Sequence, residues 1–166
     1  YNSKPAYGWI RKGEERQIKQ TTGRQRINII GSLNIDTKQV HPSYHKTVNT
    51  EAFIEHLAKL MLIYADAPLV RVFADNAKYF KNKTIFKFVK GTNFYIEFLP
   101  TYAPNLNIIE RLWKKMKEVV KANNFISSFK GFLSEINKFL ADWTSRFFDD
   151  AKSLLTENFH IIKLST

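Results

Sequence analysis

The chain has 166 residues, no cysteine, and 26 Lys plus Arg against 15 Asp plus Glu, for a formal charge of +11. Such a length holds one main core with at most a small appendage, and 44% hydrophobic with 14% aromatic residues excludes a disordered chain. Without cysteine there is no disulfide framework, cysteine-based zinc site or thiol catalysis, while the positive excess makes a polyanion, nucleic acid first, the expected partner.

No apolar run approaches the ~18 residues of a membrane span, and no signal peptide opens the sequence. A soluble intracellular protein without a membrane partner is expected. The chain starts at Tyr1 in a polar stretch that soon becomes strand-like, so it is expected to be a fragment of a longer product.

In chain order, Tyr7 to Ile10 and Ile18 to Thr22 read as two short hairpin arms around a turn at Lys12-Gly13. Arg26 to Asn34 alternates with a period of two, then a polar Asp36-Thr37 turn leads into a second arm at Gln39 to Pro42. Phe53, Leu57, Leu60, Met61 and Tyr64 recur at helical spacing behind Asn49 or Thr50 as N-cap, which predicts a helix over 50–65. Leu69 to Ala74 is too short and apolar for anything but a buried strand. A short basic helix over 82–90, closed by Gly91, and a strand from Phe94 to Leu99, halted by Pro100, follow. Asn107 then opens a helix with an apolar stripe of Ile108, Ile109, Leu112, Trp113, Met116, Val119 and Val120. The pair Asn123-Asn124 breaks it, and Phe129, Phe132, Leu133, Ile136, Phe139, Leu140 and Trp143 line a last long helix before a tail from Asp149. Strands alternating with helices predict an α/β or α+β fold. The aromatic stripe of the last helix is expected to pack in a core or between protomers.

Two carboxylates occupy informative places. Asp75 ends an apolar strand, where open α/β sheets place their ligands, although Asp75-Asn76 equally suits an ordinary turn. Glu110 lies in the first turn of a helix, where Asn107-x-x-Glu110 also has the spacing of a capping box. With 34 residues between them, a short helix, a strand and a loop return the chain to the same sheet edge. Carboxylates converging in a basic protein suit a hard divalent cation, and paired ions suit phosphodiester chemistry. A third carboxylate would normally be expected, and no good candidate stands out. His41 and His45 lack a third ligand nearby, which argues against a histidine metal site.

The strings VFADNAKYF (72–80) and FLPTYAPNLNIIERLWKKMK (98–117) resemble the second and third acidic motifs of DDE transposases of the Tc/mariner superfamily, bacterial insertion-sequence branch. YGWIRKGEERQI and GRQRINIIGSLNID also resemble that branch, so the likeness covers about residues 5–120. Phe80 stands where many relatives carry histidine, and Thr101, Ala103 and Ile108 stand where Pro, Ser and Pro are common.

The resemblance implies a ribonuclease-H-like mixed sheet flanked by helices, with its first strand truncated. Residues 1–123 would form the catalytic domain and 124–166 a C-terminal helical extension. It implies Asp75 and Glu110 as catalytic acids and ligands of magnesium or manganese, two ions in all, with Asn76 a secondary site residue. The first acid of the triad would lie upstream of Tyr1, since Asp36 sits in a hairpin turn, and the fragment alone would then be inactive. An upstream helix-turn-helix region is expected too. The implied activity is cut-and-paste transposition by a cytoplasmic, nucleoid-associated bacterial homodimer acting on transposon ends and target DNA. A ribonuclease-H-like nuclease and an inactive DNA-binding or dimerising remnant are the alternatives. Lysines follow both acids; many belong to solvated helix faces, while Lys78, Arg111 and Lys114 are the expected phosphate contacts.

Overall fold

The computed structural model describes residues 11–13, 25–100, 107–121, 126 and 128–146. The expected arms at 7–10 and 18–22, the break at 123–124, the boundary between 123 and 124, and the tail from 149 fall outside the described residues. The turn at Lys12-Gly13 is present, with Gly13 at φ +92°.

Strands β1 (Asn28–Leu33) and β2 (Val40–His45) form an antiparallel hairpin. Its turn is held by Asn34, whose Oδ1 accepts from the amides of Asp36 and Thr37, both at 2.9 Å. The second arm runs three residues past the expected end at Pro42, pairing Pro42 with Gly31. Proline forfeits only an amide donor, which a strand paired on one side, as β2 is among the described residues, can spare, and the Pro42 carbonyl accepts from Lys59 Nζ at 2.6 Å.

Helix α1 (Thr50–Ile63) starts at Asn49, whose side chain accepts from the Ala52 amide at 2.9 Å, the N-cap bond expected of asparagine. Its inner face buries Phe53, Leu57 and Leu60, each removal from water contributing about 1.5–3 kcal/mol. Strands β3 (Val70–Ala74) and β4 (Phe94–Phe98) pair in parallel, Ala74 opposite Phe98. Between them lie an unforeseen 3-10 turn, Lys78–Lys81, and helix α2 (Lys83–Val89), capped by the Asn82 side chain on the Thr84 amide at 2.9 Å. Gly91 follows at φ +80°, where a side chain would be strained.

Helices α3 (Ile109–Lys121) and α4 (Phe129–Arg146) pack together. Leu112, Met116 and Val120 meet Ile136, Phe139, Leu140 and Trp143 in one cluster, so the aromatic stripe of α4 is core material. A second cluster joins α1, α2, β3 and β4.

The hairpin separates the two cores, because side chains alternate across a strand. Ile30 of β1 faces the α1 cluster, while Ile29 and Leu33 face α3 and α4. Gly31 shares the latter face, and a Cβ there would lie 2.5 Å from Cζ2 and 2.7 Å from Cη2 of Trp113. The indole therefore seats α3 directly on the strand backbone. Tyr44 of β2 adds a hydrogen bond to Asn137 Oδ1 of α4. The result is a mixed α/β, ribonuclease-H-like arrangement of helices on both faces of short sheets.

Candidate active site

Asp75 follows directly on β3 and is exposed. Its Oδ1 accepts from the Ala77 amide at 3.0 Å, so the turn expected of an Asp-Asn pair does form and holds the carboxylate at the carboxyl end of the strand. Beyond it, the Asn76 side chain donates to the Leu99 carbonyl, and the Leu99 amide donates to the Ala74 carbonyl at 2.9 Å. These bonds tie the carboxyl ends of β3 and β4. Asn76 Oδ1 is buried with no hydrogen-bond partner.

Lys78 is exposed on the 3-10 turn. The Tyr79 phenol is raised above its ordinary pKa of 10.0 by burial and then by the negative charge of Asp75. Phe80 packs on Phe53 of α1 with ring centroids 4.3 Å apart. Phe80 is thus partly buried against the α1 cluster.

Glu110 is exposed in the first turn of α3, where the helix dipole favours a negative charge. Its amide donates to the Asn107 carbonyl at 3.1 Å, and that of Arg111 to Ile108 at 3.1 Å. Lys114, one turn on, is exposed on the same face as Glu110. Arg111 is half-buried and engaged in further interactions.

Among the described residues, no group of three or more His, Cys, Asp or Glu side chains could hold a metal ion, and no hydrogen bond or ion pair joins Asp75 to Glu110. At this sheet end the exposed Asp75 carboxylate is an oxygen donor of the kind a hard cation takes.

Histidines serve elsewhere. His41 Nε2 bonds the Tyr64 hydroxyl at 2.8 Å, and His45 lies 3.5 Å from Glu55. Asp36 is exposed in the hairpin turn. His56 is fully buried between two serines, with Ser32 Oγ 2.8 Å from Nε2 and Ser43 Oγ 2.7 Å from Nδ1. Ser43 Oγ continues to His45 Nε2 at 3.0 Å. This polar chain went unforeseen, although the strand period already placed Ser32 in phase with Ile30, and Ser43 pairs with Ile30 across the hairpin.

Residues 2–132 match the family model described as DDE superfamily endonuclease, and the chain belongs to that family. It is 23% identical over 140 residues to the insertion element IS630 uncharacterized 39 kDa protein of Shigella sonnei, covering 84% of this chain and 41% of that protein. The chain thus spans less than half of that relative. It shares its fold with the Mos1 strand transfer complex, at TM-score 0.61 and 18% identity over 86% of this chain and 43% of that one. The Mos1 mariner paired-end complex with Mn superposes at TM-score 0.57 and 16% identity, covering 90% of this chain and 52% of that chain. No described helix is long and apolar enough to cross a membrane.

Proposed function

We propose that this chain is the catalytic domain of a DNA transposase, cutting and joining phosphodiesters in cut-and-paste transposition. The observation that carries the reading is Asp75, a carboxylate fixed by its own turn at the carboxyl end of a parallel strand pair in a chain of the DDE endonuclease family. Asp75 and Glu110 act as metal ligands, and the Asn76 amide ties the Asp75 turn to Leu99. Two magnesium or manganese ions, when bound, supply charge neutralisation of the phosphodiester and activation of the attacking oxygen. The Mos1 complex with Mn supports that choice by analogy of fold. A third carboxylate comes from outside the described residues. Lys78, Arg111 and Lys114 contact phosphates, orienting the strand for attack.

The Mos1 paired-end complexes support transposon-end DNA as substrate and a homodimer as the working unit. Residues 1–123 form the catalytic unit and 124–166 the helical extension, although α3 and α4 share one core. A bacterial cytoplasmic, nucleoid-associated site of action accords with the insertion-element relative.

A strand-transfer assay on the longer product, with labelled transposon ends and a target plasmid, tests the reading. Metal-dependent joining that Asp75→Asn and Glu110→Gln each abolish is the expected result. Cleavage without joining would instead identify a nuclease, and binding without either would identify an inactive remnant.

A further inference from the structure

Between Asp75 and Glu97 the chain carries five lysines, at 78, 81, 83, 87 and 90, and no acid. All five are exposed, and among the described residues the ion pairs His45–Glu55 and Arg71–Glu97 use none of them. On α2, Ile85 and Val89 are buried against the core, which turns Lys83, Phe86 and Lys87 outward as one stripe at the three-to-four spacing of a helix face.

Phe86 in the middle of that stripe is 45% exposed. Its ring stands edge-on to Phe98, centroids 6.2 Å apart, and Lys81 Nζ lies 5.2 Å from the Phe98 centroid. Phe98 is the last residue of β4, opposite Ala74. The basic aromatic patch therefore runs from α2 to the strand end that carries Asp75.

What sets Phe86 apart from the other exposed rings is its frame of lysines that no described carboxylate pairs, so one surface offers a stacking face and cationic groups together. It matches the chemistry of a strand with unpaired bases, whose phosphates meet the ammonium groups while a base stacks on the ring. A duplex hides its base faces and offers this ring nothing.

We infer that the α2 face formed by Lys83, Phe86 and Lys87, with Lys81 and Phe98, is a docking surface for single-stranded DNA beside the acid site. The inference rests on the DNA-processing reading above and adds to it the kind of strand and where it lies.

The test is fluorescence anisotropy of the whole chain with a labelled oligothymidylate of about 16 nucleotides and a blunt duplex of the same length, in EDTA so that no chemistry intervenes. Phe86→Ala is expected to weaken single-strand binding about tenfold and leave the duplex unaffected, while Phe86→Trp retains it. Lys83→Gln and Lys87→Gln should each flatten the single-strand salt dependence by about 0.7 in log–log slope. The inference is overturned if Phe86→Ala leaves single-strand affinity unchanged, if both forms of DNA lose equally, or if polyglutamate binds as tightly as the oligonucleotide. Loss of strand transfer with this discrimination intact would sink only the catalytic reading.

Discussion

The indole of Trp113 rests on the backbone of Gly31, so close that a single added methyl would meet two ring carbons at 2.5 and 2.7 Å. Helix α3, and with it Glu110, is thereby set on β1 by a contact that tolerates no side chain. Gly31→Ala should destabilise the fold by about 1–3 kcal/mol through overpacking. Urea unfolding of Gly31→Ala, Trp113→Leu and the double variant should show strong coupling, with the alanine costing less once the indole is gone. Additive effects would mean that the contact does not form.

His56 predicts an acid-sensitive fold. Burial chiefly, then the charges of Lys59, His45 and His41, lowers its pKa from 6.5 to about 4. The unfolded chain then takes up a proton that the folded chain refuses, so the stability held above pH 6.5 falls as pH drops toward 4. The full difference is on the order of 3 kcal/mol. Urea midpoints measured from pH 7.5 downward should decline, and His56→Gln, less stable at neutral pH, should flatten that decline. An equal slope in both proteins would assign the acid sensitivity to other groups.

Asn76 ties the Asp75 turn to Leu99. Asn76→Ala should cost about 1 kcal/mol for the lost bond and reduce strand transfer well beyond that modest loss. Asn49→Ala, which removes the α1 cap of comparable worth, serves as the control and should lower thermal stability while sparing catalysis.

Lys78 and Lys114 are both exposed. Replacing either by glutamine should weaken duplex binding irrespective of sequence and reduce the salt slope by about 0.9, read from anisotropy titrations over a range of salt concentrations. A slope equal to that of the unsubstituted protein would remove that lysine from the interface.

Much of this architecture is legible residue by residue. Asn49 announces α1, and the outcome matches because a local side-chain bond decides it. The α4 stripe is likewise readable, since its period and its burial have one cause. Local patterns fail where partners lie far apart in sequence. The end of β2 is misplaced because Pro42 is a stop signal only for a strand that needs its amide. The 3-10 turn at Lys78–Lys81 has too few residues to display a period. The acids are visible as residue types at element ends, while the link from Asn76 to Leu99 and the serine–histidine chain depend on how separate elements meet.

The tie among Ala74, Asn76 and Leu99 has a consequence for how the chain can vary. At the opposite end of the same pair, the Val70 amide is held by the Asn93 carbonyl at 2.9 Å. The crossover from the 3-10 turn through α2 is thus clamped at both strand ends, like a handle riveted at its two feet. Between the feet, Ile85 and Val89 hold α2 on the core, so a single residue inserted within the helix would swing them about 100° out of register, whereas the two clamps alone fix how Asp75 sits relative to the segment leaving β4. Chimeras exchanging only this handle should keep the same sheet where the replacement preserves an apolar pair at the places of Ile85 and Val89.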